Sequence, residues 1–121
     1  MTTRILAVDD SRTMRNMIQT ALQDAGFHVD LAEDGVQGLE QLDATEPDLV
    51  ITDINMPRLD GFGVIEGVRA RERYASLPVL VLTTETGDQL KQRARAAGAT
   101  GWIVKPFDPV KLITAINRLV F

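Results

Sequence analysis

Short apolar runs of strand length alternate with longer segments of helical periodicity along the whole chain, and few folds tolerate that rhythm. The runs are Ile5-Leu6-Ala7-Val8, Leu49-Val50-Ile51, Val79-Leu80-Val81-Leu82 and Trp102-Ile103-Val104. They are rich in β-branched residues. Their unbroken apolar character implies burial on both faces, as in a parallel sheet covered by helices. A further run, Phe27-His28-Val29-Asp30-Leu31, alternates apolar with polar residues and suits an edge strand with one wetter face.

Between the runs, Met14, Met17, Ile18, Ala21, Leu22 and Ala25 recur at helical spacing. Ser11 is placed to cap that helix, and Gly26 to end it. Leu112, Ile113, Ile116, Leu119 and Val120 repeat the pattern behind Asp108-Pro109, an N-cap followed by proline at the first helical position. The middle segments are weaker. Val36, Leu39 and Leu42 form a narrow stripe interrupted by Gly38, and Phe62, Ile65 and Val68 form another. The segment from Asp88 to Ala97 has only Leu90, Ala94 and Ala97 on its apolar face, and it is expected to pack least firmly. Strand and helix repeated five times predicts an α/β fold, a five-stranded parallel sheet between helical layers with right-handed crossovers. The polar second run favours the strand order 2-1-3-4-5. At 121 residues the expectation is one domain spanning 1–121.

Composition removes several classes of function. With 17 acidic against 13 basic residues, the net charge of -4 argues against broad binding to nucleic acid or to an anionic membrane surface. The absence of cysteine excludes disulfides, thiolate catalysis and cysteine-ligated zinc. Met1-Thr2-Thr3-Arg4 leads into an apolar run that ends at Asp9, too short for a signal peptide or a membrane span, so a cytoplasmic location is expected.

The polar residues that punctuate the pattern fall at strand ends. Asp9 and Asp10 follow the first run, Asp53 the third, Thr83 the fourth and Lys105 the fifth. In an open parallel sheet these ends share one edge, and ligands bind there where the strand order reverses. Carboxylates crowded at ~4 Å repel by roughly 4 kcal/mol per pair at an effective dielectric of about 20, so a cation or a shared proton must relieve them. Hard oxygen ligands with room for water suit Mg²⁺. With Lys105 as a positive charge and Thr83 as a hydroxyl donor, the set makes a good site for a phosphoryl group. Asp34, Asp60 and Asp108 read instead as caps and turn formers. His28, the only histidine, is expected to pack or to point to water on the edge strand, without a partner carboxylate. The methionines read as core filler.

Four motifs, Val8-Asp9-Asp10-Ser11, Asp53-Ile54-Asn55-Met56-Pro57 with Asp60-Gly61, Leu82-Thr83-Thr84-Glu85 and Lys105-Pro106-Phe107, resemble the CheY-like receiver domains of response regulators. The resemblance runs from Arg4 to the C-terminus. It implies a flavodoxin-like three-layer fold, for which these receivers are themselves a type case of the 2-1-3-4-5 order. It also implies that Asp53 accepts a phosphoryl group from a histidine kinase. Asp10, Asp53 and the backbone carbonyl of Asn55 would ligate Mg²⁺, with Asp9 acting mainly through a bound water. Lys105 would pair with the phosphoryl oxygens, Thr83 would move to hydrogen-bond one of them, and the Lys105-Pro106 bond would be cis. Asn55 and Glu85 resemble the pair that tunes dephosphorylation in the chemotaxis members, which implies a fairly short-lived phosphoryl state. Trp102 stands where the family generally has Tyr or Phe. It either swings inward as a switch or anchors an edge strand, and indole is larger than the phenol usual there.

The segment Asp10-Ser11-Arg12-Thr13-Met14-Arg15 resembles stand-alone chemotaxis receivers, and no basic helix-turn-helix segment follows the last helix. A monomeric binding switch for a flagellar motor component is therefore expected, through the face of the fourth helix, fifth strand and fifth helix, with Lys91, Arg95 and Trp102 as surface candidates. The alternatives are a phosphate relay or sink, a receiver cut from a longer regulator, and a small phosphohydrolase. The last normally spaces its two acids by one residue, whereas Asp9 and Asp10 are adjacent. The domain would catalyse its own phosphorylation without being a turnover enzyme.

Overall fold

The computed structural model describes residues 2–121, so Met1 lies outside the described residues. Five strands alternate with five helices: β1 Arg4–Val8, α1 Arg12–Asp24, β2 His28–Ala32, α2 Gly35–Thr45, β3 Leu49–Thr52, α3 Gly61–Ala70, β4 Val79–Thr83, α4 Asp88–Ala97, β5 Gly101–Val104 and α5 Pro109–Val120. A 3₁₀ turn, Glu72–Tyr74, follows α3. All pairings are parallel and the sheet order is β2-β1-β3-β4-β5, as the alternation and the polar second run predict.

The two-residue period of the strands divides the core. Leu6, Val8, Val50, Val79 and Val81 point to one side, where they meet Leu42 of α2, Phe62, Ile65 and Val68 of α3, and Ala94 of α4. Their neighbours Ile5, Ala7, Leu49, Ile51, Leu80 and Leu82 point to the other side, against Ile18 and Leu22 of α1 and Leu112 and Ile116 of α5. Each fully buried side chain of this size stabilises the fold by roughly 1.5–3 kcal/mol, so the three inner strands carry most of the driving force. As expected, α4 packs least firmly, with Ala94 its one buried residue.

The caps fall where the sequence places them. Met14 N–H donates to Ser11 Oγ at 3.2 Å, Gly63 N–H to Asp60 Oδ1 at 2.9 Å, and Val110 N–H to Asp108 Oδ1 at 3.0 Å. Gly26, at φ +92°, takes the chain out of α1 in left-handed geometry.

Four expectations are corrected. The apolar run of β5 is not buried on both faces: Trp102 and Ile103 are half-buried and Val104 is exposed, because an edge strand is flanked on one side only. Gly38 does not interrupt a stripe but belongs to the buried face of α2. A Cβ there would stand 2.9 Å from Val8 Cγ2, so glycine lets the helix settle onto β1, while Val36 faces outward. Met17, 44% exposed, lies on the surface of α1 rather than filling core. His28 does have a carboxylate neighbour, with Asp30 Oδ1 3.5 Å from its Nε2 on the same face of β2.

Candidate functional site

The backbone ladder continues one residue beyond three of the strands, and this gathers the site. Val8 is in register with Thr52, and Thr83 with Val104. Past those pairs, Asp9 N–H donates to Ala32 O at 3.0 Å, Asp53 N–H to Val8 O at 3.0 Å, and Lys105 N–H to Thr83 O at 2.8 Å. Neighbouring strands lie about 4.8 Å apart, so Asp9 and Asp53 emerge side by side at the switch point between β1 and β3. Lys105 reaches them along its four-carbon stem from β5, two strands beyond β3 and three beyond β1.

The resulting electrostatics are tight. Asp9, Asp53 and Thr83 are buried, Asp10 is exposed, and one carboxylate oxygen from each of the three acids lies within 4.8 Å of the others. Lys105 Nζ donates to Asp9 Oδ2 and to Asp53 Oδ2, both at 2.7 Å, and is thus a buried bridge rather than a mobile surface charge. The second oxygens are also engaged. Ser11 N–H donates to Asp9 Oδ1 at 2.9 Å, and Ile54 N–H to Asp53 Oδ1 at 2.6 Å.

Burial pushes the Asp9 carboxyl above the usual carboxylate range, against the opposing hydrogen bonds from Lys105 and Ser11. Burial also opposes the charge on Lys105. Its hydrogen bonds to Asp53 and Asp9 outweigh that, so its pKa lies above the ordinary lysine value.

The remaining candidates form a second chain of contacts beside the acids. Asn55 Nδ2 donates to Glu85 Oε1 at 2.6 Å, which joins residues thirty positions apart across the loops after β3 and β4. Glu85 N–H donates to Thr83 Oγ1 at 3.3 Å, and Trp102 Nε1 donates to Glu85 O at 3.3 Å. Trp102 is therefore tied to the loop that carries Glu85. The Lys105–Pro106 bond is cis, as expected. Lys91 and Arg95 lie with Trp102 around a hollow between α4 and β5, on the face expected for output.

Sequence reasoning missed two arginines. Arg15 donates from NH1 to Asp9 O at 2.8 Å and steadies the acid's backbone from α1. Arg58 pairs with Asp34, which caps α2 as expected and also serves as a buried anchor. An arginine in the second turn after an acid pair, or between a proline and an Asp-Gly turn, is the only sequence signal for either.

The donor set fits a divalent hard cation. It offers oxygen only, its acids are close enough to share one ion, and the exposed Asp10 leaves room for water.

The family model for the response regulator receiver domain matches residues 5–117. Chemotaxis protein CheY1 of Helicobacter pylori is 42% identical over 108 residues, which cover 88% of this chain and 87% of that protein. The structure of chemotaxis protein CheY4 of Vibrio cholerae superposes with a TM-score of 0.94 at 43% identity, covering 98% of this chain and 99% of that one. The receiver domain of a sensor histidine kinase from Pseudomonas aeruginosa, with a magnesium ion coordinated in its active site cleft, superposes with a TM-score of 0.91 at 26% identity, covering 99% and 98%.

Proposed function

The chain belongs to the response regulator receiver domain family, and from that premise we propose that it takes a phosphoryl group from a histidine kinase onto Asp53 and so switches its binding to a flagellar motor component. It acts as a single monomeric domain in the cytoplasm and is not a turnover enzyme. The observation that carries the reading is the Lys105 bridge, which puts one cation against the Asp53 carboxylate and a neighbouring acid at the switch point of the sheet.

An Asp53 carboxylate oxygen attacks phosphorus in line. The P–O bond forms as the P–N bond to the donor imidazole breaks, the electron pair leaves with that nitrogen, and the imidazole departs neutral with its proton on the other ring nitrogen. The transition state is loose, so positioning and charge neutralisation are most of the catalysis. Lys105 turns from its bridging position to pair with the phosphoryl oxygens. Thr83 donates its hydroxyl to one of them, which breaks its contact with the Glu85 amide. Asp10, Asp53 and the Asn55 carbonyl would hold Mg²⁺, with Asp9 supporting it through a water. When bound, the ion neutralises charge on the phosphoryl oxygens.

The Asn55–Glu85 pair, joined at 2.6 Å beside the acids, sets how fast the acyl phosphate is lost to water. Trp102, through its bond to Glu85 O, carries the change to the α4–β5 face.

Labelled phosphate from a kinase tests the reading. Retention on Asp53, loss of uptake in Asp53→Asn with the fold intact, and capture of a motor switch protein only with a phosphoryl mimic are expected. Uptake by Asp53→Asn at the wild-type rate would falsify the assignment. Onward transfer to a second histidine domain would favour a relay, and turnover of small phosphate esters a hydrolase.

A further inference from the structure

Resting on the phosphoacceptor reading above, we propose that Arg58 is a positioning residue. Its fork onto Asp34 holds the 57–59 turn in left-handed geometry and so keeps the Asp53–Asn55 segment arranged for Mg²⁺ and the phosphoryl group. Among the described residues, Glu46 and Arg58 are the non-glycine residues at positive φ, 51° and 65°. Glu46 ends α2, where left-handed residues are common. Arg58 has no such context. It is the middle of a three-residue turn closed by Leu59 N–H donating to Pro57 O at 2.7 Å, a strained arrangement with positive φ that surrounding structure must impose.

The imposing contact is on the page. Arg58 Nε donates to Asp34 Oδ2 at 2.9 Å and its NH2 to Asp34 Oδ1 at 3.0 Å, the bidentate match of guanidinium to carboxylate. Asp34 is a fixed anchor: it is buried, and Oδ1 also accepts from Gln37 N–H at 2.8 Å as the cap of α2. An exposed arginine more often only covers surface. Here the side chain is 58% exposed, yet both arms of the fork are engaged with a buried acid.

The turn has no slack through which a displacement could be absorbed. A Cβ on Gly35 would stand 2.2 Å from Leu59 O, and one on Gly61 2.1 Å from Asp53 O, so the turn is pressed between α2 and the backbone of the phosphoacceptor. Gly61 N–H donates to Ile54 O at 2.8 Å, which closes the loop onto the residue after Asp53. Release of Arg58 from Asp34 therefore frees the segment that carries Asp53 and Asn55, though Arg58 itself touches neither metal nor substrate.

The test is Mg²⁺ titration by calorimetry together with amide hydrogen exchange, on wild type, Arg58→Ala, Arg58→Lys, Arg58→Gly and Asp34→Asn. Arg58→Ala and Asp34→Asn should each weaken Mg²⁺ binding about ten-fold, the scale seen when a residue supporting a metal ligand is lost. Both should speed exchange at the Ile54 and Gly61 amides while β1 and β4 stay protected, a pattern that general destabilisation would not give. Asn at position 34 still offers a capping oxygen, so α2 stays protected too. Arg58→Lys should fall between, because an ammonium cannot engage both oxygens as a fork does. Arg58→Ala and Asp34→Asn combined in one chain should bind Mg²⁺ no more weakly than either alone.

Arg58→Gly adopts positive φ freely, so wild-type Mg²⁺ affinity in that variant would overturn the role of the guanidinium. Unchanged affinity and exchange in Arg58→Ala would do the same. Neither measurement uses phosphoryl transfer. Labelled phosphate landing elsewhere than Asp53 in the wild type would sink the functional reading alone.

Discussion

Replacement of Lys105 by methionine keeps an unbranched side chain, one atom shorter, and removes its charge, and the geometry sets the size of the effect. In the wild type Nζ lies 2.7 Å from both Asp9 Oδ2 and Asp53 Oδ2. Without it, two buried acids face each other within 4.8 Å. At that separation and an effective dielectric of about 20, their repulsion amounts to roughly 3.5 kcal/mol. This agrees with the ~3–5 kcal/mol expected when one partner of a buried pair is removed. Protonation of one acid abolishes the repulsion, and Asp9 is the acceptor because burial already raises its pKa.

A raised carboxyl pKa favours the fold while the group is protonated, and that contribution is lost as pH rises through the folded value. The stability gap between Lys105→Met and wild type should therefore be small near pH ~4 and widen toward pH ~8. Urea unfolding across that range, with and without millimolar Mg²⁺, measures it. The ion should narrow the gap at high pH, since it replaces the missing positive charge and binds only the folded cluster. A gap that does not change with pH, or Mg²⁺ that stabilises both proteins equally, would refute the electrostatic account.

Four further outcomes are expected. Gly61→Ala should cost about 3 kcal/mol or more by chemical denaturation, because the new Cβ meets backbone at 2.1 Å. Gly26→Ala should cost only about 1 kcal/mol, since nothing lies within 4 Å and only its φ of +92° is strained. Arg71 hydrogen-bonds Asp43 and holds its carboxyl below the usual range, so its contribution is present above the ordinary carboxylate value and lost as pH falls through the folded one. The stability difference between Asp43→Asn and wild type should accordingly close in acid, followed by circular dichroism. Trp102, the only tryptophan, should change its emission when Mg²⁺ and a phosphoryl mimic are added, because its Nε1 is bonded to the Glu85 loop; an unchanged spectrum would remove it from the switch.

The strands, their parallel order and the positions of Asp9, Asp53, Thr83 and Lys105 at one edge were legible in the chain alone. A continuous apolar run, and the polar residue that ends it, are properties of a few consecutive residues. Similar local signals did not fix burial. The run in β4 is buried throughout while that in β5 is half-open, because burial depends on whether a strand has neighbours on both sides. Asn55 and Glu85 could be paired beforehand only by family resemblance, and the Arg58–Asp34 fork not at all. Each contact joins separate segments whose approach is set by strand register and by how closely α2 settles through Gly38 onto β1. Lys105 shows the division most clearly. Its place just past a strand follows from sequence, but its role as a buried bridge between two acids arises only when the four parallel strands β1, β3, β4 and β5 are stacked a fixed distance apart.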